Sequence, residues 1–450
     1  MALALSSEKE NNRKSNNKLS EKIMKNIPKL LFIVTCLYIF WPAGQGEAQT
    51  QLNQSSNNSF TLQQLIDEAL HSNPAVQAAQ LKSEAYQNRI PQAASLPDPM
   101  FSLQSRSMGN PLPFVTLGNS QLDSFGFMAS QDIPYPGKLK LKTEAVKLEA
   151  LSIEQDIESV KLDLIANIKS YYYDYLLADE KLRILENNNA YLEQFEKITQ
   201  ARYSVGEGIM QDVLKAQTEI SINFSKIIEM KKEKDNTLAQ INALINRHPS
   251  TLLKISGNLE QREPLPDFQS LMEIMKKKNP QLKAMNFMIE SNKKELQLEK
   301  KGYYPDFQVS AGYGYSRNFD DMWEINFGIS LPVFYKTKQN NAIIEAAKKE
   351  QTSTKSYENM FRHLQAELKN AHLTAQLAND LLNLYAKTVI PQAKSTMESA
   401  MSNYEVGTID FLAIIDNLII VLDFQMKYYE QLTAYQKALA TIDKLIGNEE

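Results

Sequence analysis

The hydrophobic pattern along the chain changes period in a fixed order, and it runs through that order twice. In Phe307, Val309, Ala311, Tyr313 and Tyr315 every second residue is apolar or aromatic, and the intervening Gln308, Ser310, Gly312, Gly314 and Ser316 are small or polar. Trp323, Ile325, Phe327, Ile329 and Leu331 repeat the alternation against Glu324, Asn326, Gly328 and Ser330. Alternation of this length predicts strands with one apolar face, and the turn residues around Asn318 to Asp321 make the pair a hairpin over about 306–331. An earlier stretch, about 98–133, reads the same way more weakly. Phe101 and Leu103 fall in one strand, and Phe125, Phe127 and Ala129 in the next, joined by a polar loop from about Ser107 to Asp123.

After each hairpin the 3.6-residue period takes over. From Lys138 to Val205, and from Lys336 to Val406, the only helix breaker is Pro391. Helices of that length run roughly 100 Å. The second carries a heptad seam of Leu364, Leu368, Ala371, Ala375, Ala378, Leu382, Tyr385 and Val389. Its small residues predict close coiled-coil contacts. Near Pro391 the seam slips by one residue and resumes at Ala393, Met397, Ala400 and Tyr404. Each long helix ends at a Val-Gly pair, where Gly206 and Gly407 fit C-terminal caps with positive φ, and another helix then runs back.

The landmarks are shared between two halves. Asn73-Pro74 returns as Asn279-Pro280, Pro97-Asp98 as Pro305-Asp306, Ile133-Pro134 as Leu331-Pro332, and Tyr203-Ser-Val-Gly206 as Tyr404-Glu-Val-Gly407. One duplicated unit therefore covers about 60–250 and again about 267–447. Each copy opens on a helical segment, near 60–96 and 267–303, with the Asn-Pro in its first third.

Composition sharpens the picture. With 15 glycines and 17 prolines in 450 residues, turn formers make up about 7% of the chain where roughly 12% is usual. Long helices are thus the default, and three ordinary domains are not. A mean hydropathy of −0.39 excludes a bundle of membrane-spanning helices. A net charge of −4 with mixed signs leaves no footprint for nucleic acid. Leu30 to Trp41, preceded by Lys25 and Lys29 and followed by Gly46-Glu47-Ala48, reads as a secretory signal with cleavage after Ala48. Counted from Met24 the signal has ordinary length, so residues 1–23 read as an upstream extension and 49–450 as the mature domain. Cys36, the single cysteine, lies inside the apolar core of that signal and not at a lipobox, leaving a mature chain without thiols.

No catalytic or metal constellation is present. His71, His248, His363 and His372 are scattered, and the Met285 and Met288 pair reads as packing. No cofactor is expected. The four strands are long enough to span an outer membrane, yet four cannot close a barrel and open edges are not tolerated in lipid. Two copies would give eight strands and three would give twelve. A soluble sandwich is disfavoured, because two hairpins so far apart and flanked by such long helices have nothing to pack on within one chain.

The order helix, hairpin, long helix, Tyr-x-Val-Gly turn and returning helix, repeated from about residue 60 to the end, resembles the TolC-type outer-membrane efflux proteins. Ile133-Pro-Tyr-Pro-Gly-Lys138 resembles their heavy-metal resistance branch. The resemblance implies a mostly α fold with a small transmembrane β part. Three copies would form a periplasmic α-helical coiled-coil barrel and a 12-stranded β-barrel in the outer membrane of a Gram-negative bacterium. It also implies a passive conduit that partners a periplasmic adaptor, an inner-membrane efflux pump of RND type and outer-membrane lipid. Phe307, Tyr313, Trp323 and Phe327 would then face lipid. The turns at Tyr203, Val205, Gly206, Val406, Gly407 and Thr408 would meet the adaptor. Asp212, Tyr404, Asp410 and Asp416 would form the aperture, with a Tyr404–Asp212 latch and a ring of Asp416 carboxylates. Ala413 and Ile409 replace an aspartate and a basic residue common in the family, so that network is reduced. The plainer reading of the three aspartates is that they are solvated residues near helix N-termini. A poreless envelope coiled-coil protein and a conduit for secreted peptides are the competing functions.

Overall fold

The computed structural model describes residues 59–106, 124–260, 263–316 and 320–448. The expected signal segment 1–48 and the polar loop from Ser107 to Asp123 lie outside the described residues. Repeat one begins with α1 (Leu62–Ser72), α2 (Pro74–Gln87) and α3 (Arg89–Ala94), and repeat two with α6 (Phe268–Lys278) and α7 (Pro280–Lys300). In both repeats the Asn-Pro does the same work. Proline lacks the amide a helix interior needs but suits its first turn, so the chain breaks at the asparagine and restarts at the proline. The asparagine Oδ1 caps the new helix, accepting from the Ala75 amide in one repeat and the Leu282 amide in the other.

The long helices follow as expected: α4 spans Lys138–Ser204 and α8 spans Gln339–Leu384, with α9 at Ile390–Glu405. The returning helices are α5 (Met210–Leu244) and α10 (Phe411–Ile446). α2, α5, α7 and α10 all pack along α4, α8 packs on α7 and α10, and α9 packs on α10. The stacked helices are stitched end to end by the two asparagines. Asn73 Nδ2 donates to the Leu244 carbonyl at 2.8 Å, and Asn279 Nδ2 to the Leu445 carbonyl at 2.9 Å. Each supplies one of the carbonyls orphaned at a helix C-terminus.

The heptad seam of α8 is buried at Leu364, Leu368, Ala371, Ala375, Ala378 and Leu382. Its one-residue slip has a structural cause. Tyr385–Val389 forms a π-helical turn, which inserts one residue into the helix, and Ile390-Pro391 follows at once. Pro391 has no amide to return to Lys387, so the wider turn sits where an α-helical bond is already impossible. The seam then resumes at half-buried Ala393 and Met397 and buried Ala400.

The strands are β1 (Met100–Arg106), β2 (Ser124–Ile133), β3 (Asp306–Ser316) and β4 (Met322–Ser330). They correct one expectation: the two hairpins do have something to pack on within the chain, namely each other. β2 pairs with β3 antiparallel from Ser124↔Ser316 to Ile133↔Phe307, giving a single sheet in the order β1-β2-β3-β4. The pairing is edge to edge and not face to face. Among the described residues no sandwich forms, and β1 and β4 keep one free edge each.

Candidate functional site

Two features carry chemistry: the faces of the sheet and the two helix turns at the opposite end of the long helices. Register decides the first. Leu103, Phe127, Tyr313 and Trp323 stand directly opposite one another across the four strands, and so do Gln131, Val309 and Phe327 across three. Phe307 pairs with Ile133 and Ile329 on the same face. The four aromatic residues singled out from the sequence therefore share one face with almost every other large apolar residue of the sheet. Trp323 and Phe327 are each 79% exposed, so none of the described residues covers it. Rings step across it: Phe101 to Phe127 at 5.9 Å, Phe127 to Tyr313 at 5.8 Å, and Tyr313 to Trp323 at 5.3 Å. The other face is small and polar at Ser102, Gln104, Gly126, Ser130, Gln308, Ser310, Gly312, Glu324 and Asn326, with Met100, Met128 and Met322 as its only large apolar residues among the described ones. Gly126 is required there, since a Cβ would lie 2.5 Å from the Tyr313 carbonyl oxygen.

The second feature begins with two identical caps. Gly206 and Gly407 have φ of 79° and 76°, where other residues are strained. The amides of Glu207 and Thr408 return to the carbonyls of Arg202 and Asn403, and those of Gly206 and Gly407 to Tyr203 and Tyr404. Both turns are Schellman motifs. The Thr408 hydroxyl donates a second bond to the Asn403 carbonyl at 2.8 Å. Val205 and Val406 stand 69% and 72% exposed, and Tyr203 is exposed beside them.

Behind the turns lies a small core of Leu192, Phe195, Ala216, Ala400, Phe411 and Ile414, against which Tyr404 packs. The partner the structure gives Tyr404 is Arg202, which the sequence reading missed. Its guanidinium carbon stands 4.7 Å from the Tyr404 ring centroid, and its Nη1 donates to the Tyr404 carbonyl at 3.0 Å. The signal for it was an asymmetry between the repeats, since Asn403 holds the matching position in the second turn. Asp212 lies half-buried in the first turn of α5, Asp410 is the exposed N-cap residue of α10, and Asp416 is exposed one turn further on. Burial pushes the Asp212 carboxyl above its ordinary value, and the Asp410 carboxylate adds to this against the pull of Arg202. Burial likewise raises the Tyr404 hydroxyl; Arg202 opposes this and the Asp212 carboxylate adds to it. Asp212 and Tyr404 thus share a field. Among the described residues they make no hydrogen bond to each other within one chain.

Among the described residues no three His, Cys, Asp or Glu side chains gather to hold a metal ion. His363 lies near Glu367, and His372 stands against Phe268 and the Pro266 carbonyl.

Comparison with known proteins places this arrangement. The profile of the outer membrane efflux protein family matches residues 65–247 and 271–448, one match for each repeat. The cobalt-zinc-cadmium resistance protein CzcC of Cupriavidus metallidurans is 20% identical over 350 residues, covering 77% of this chain and 82% of CzcC. The cation efflux system protein CusC of Escherichia coli K12 is 22% identical over 311 residues, 65% of this chain and 66% of CusC. A crystal structure of CusC superposes with a TM-score of 0.75 at 18% identity, over 89% of this chain and 96% of that one. The chain belongs to the outer membrane efflux protein family, whose members are channels and not enzymes.

Proposed function

We propose that this outer membrane efflux protein is the exit duct of a tripartite efflux system. Three copies form a 12-stranded barrel in the outer membrane and a helical barrel in the periplasm, and cargo moves through them passively. The observation that carries this reading is the sheet. Among the described residues one face is apolar and aromatic across all four strands and uncovered, the other is small and polar apart from three methionines, and both edges are free. Such a sheet is stable in lipid only when closed with further copies, apolar face outward.

Phe307, Tyr313, Trp323 and Phe327 then meet lipid, and the polar face lines the duct. The exposed valines of the two Schellman turns are the contact for a periplasmic adaptor that couples the duct to an inner-membrane pump. Metal ions are the cargo best supported, because the relatives named above are a cobalt-zinc-cadmium resistance protein and a cation efflux protein.

The turns also form the aperture. Asp212 is held above its ordinary value by burial and by Asp410. Accepting a hydrogen bond from the Tyr404 hydroxyl in the closed ring relieves that carboxylate. Arg202 holds the Tyr404 ring in place, and exposed Asp416 adds a ring of negative charge that favours cations. Asp212→Ala combined with Tyr404→Phe should raise single-channel conductance in a planar bilayer. Unchanged conductance would rule out the latch, and the absence of any conductance from the wild-type protein would rule out the duct.

A further inference from the structure

The sheet meets helices at four junctions; the one before β1, 95–99, carries Asp98 and no lysine, and the other three lie side by side because Ile133, Phe307 and Ile329 are successive partners in register. The segments 133–142, 300–306 and 331–338 together hold seven lysines and a single acidic residue, Asp306, in a chain whose net charge is −4. Asp306 is already neutralised by Lys138 at 2.8 Å and also accepts the Tyr135 amide at 2.7 Å. Tyrosines are interleaved with these lysines. Tyr135 stacks on Tyr304 with ring centroids 4.5 Å apart, and the Lys301 ammonium stands 5.4 Å and 5.9 Å from those two centroids. Tyr303 packs near Tyr335 and bonds to Asn340. Lys336 and Lys338 are exposed, and with Lys301 they make no ion pair among the described residues. Beside them Val333 and Phe334 project 68% and 75% exposed, continuing the apolar face of the sheet past its last hydrogen-bonded residue.

We propose that this rim is a binding site for the headgroups of anionic phospholipids. The inference rests on the outer-membrane reading, under which the helix end of the sheet meets the inner leaflet. Val333 and Phe334 enter the acyl region, the tyrosines sit at the boundary, and Lys301, Lys336 and Lys338 meet lipid phosphate just beyond it. An acidic protein surface would match the charge, but it would not explain why the lysines stand where an uncovered apolar face stops. Lysines near a bilayer surface attract anionic lipid and lose that attraction with salt.

Tryptophan quenching by lipids brominated in their acyl chains tests both levels at once. Trp323 reports on the sheet near its far end in the wild-type protein, and Phe334→Trp in a Trp323→Phe background reports on the rim. Trimers are reconstituted in mixtures of phosphatidylglycerol and phosphatidylcholine with one or the other brominated. The rim reporter should prefer phosphatidylglycerol by roughly three- to tenfold, falling toward parity in 1 M salt and in Lys336→Gln/Lys338→Gln. Trp323 should be quenched by both lipids alike. A rim without preference, or a preference that survives the lysine substitutions, overturns the headgroup site while leaving the barrel intact. Trp323 unquenched by either lipid overturns the outer-membrane reading itself.

Discussion

A single buried asparagine in each repeat joins two helices that would otherwise merely abut. Asn279 is 3% exposed; its Oδ1 accepts the Leu282 amide and its Nδ2 donates to the Leu445 carbonyl. Asn279→Ala removes a cap, worth about 1 kcal/mol, and strands a buried carbonyl, costing about 1–3 kcal/mol more. Its denaturation midpoint should drop accordingly, while an exposed control such as Lys232→Gln leaves it unchanged. An Asn279→Ala protein as stable as wild type would mean that the joint is held by apolar packing alone. Tyr173 offers a second residue-scale handle. Burial pushes its hydroxyl up to about 12 from an ordinary value near 10. The folded protein therefore keeps a proton that the unfolded chain gives up in that window, so this group's contribution to stability is full below pH 10 and is lost as pH rises toward 12. Alkaline titration followed by phenolate absorbance should show a late-ionising tyrosine that Tyr173→Phe removes. Ionisation of every tyrosine near pH 10 in the folded protein would contradict the burial.

The π-helical turn shows how an element reconciles two demands. The seam before it, ending at Leu382, and the seam after it, at Ala393, Met397 and Ala400, differ by one residue, and Tyr385–Val389 absorbs that residue. Pro391→Ala alone should leave the turn in place, because both seams still hold their registers. Deleting Thr388 in the Pro391→Ala background should convert 339–405 into one continuous α-helix. The deletion variant should then show slower amide hydrogen exchange across 385–391, and faster exchange there would mean that the turn serves α9 in some other way. Much of this was legible beforehand: the strand alternation, the seam with its slip, and the positive-φ glycines are written in local periods. What was not legible depends on partners distant in sequence. Nothing local to 124–133 says that β3 is its neighbour, so the hairpins looked isolated. Arg202 reads as an ordinary surface cation until the fold brings Tyr404, 202 residues away in the chain, under it.

At the scale of the whole molecule, what remains uncovered points to copy number. Among the described residues the sheet has free edges at β1 and β4, and α5 and α8 each carry an exposed apolar stripe. Met210, Leu214, Phe224 and Ile228 are exposed along α5, and Leu373, Leu377 and Leu384 along α8. Their spacings of four, seven or ten residues place each stripe on one helix face. The stripes are not the same surface, so pairing α5 of one copy with α8 of the next is heterologous and must close into a ring or run on indefinitely. The strands need the same closure. Because Cys36 is the sole cysteine and falls in the expected signal, introduced thiols report without background in the mature chain. Ile228→Cys together with Leu384→Cys, which lie at similar heights along the helices, bridged by a short bismaleimide, should give a denaturing-gel ladder of one, two and three chains and nothing larger. A ladder stopping at two would mean an eight-stranded barrel, and an open-ended one would mean no closed ring. Phe224→Glu should leave the chain monomeric, because each uncompensated charge buried at the interface costs about 3–5 kcal/mol. A Phe224→Glu protein that still sediments as a trimer would place the contact between copies on some other face of α5.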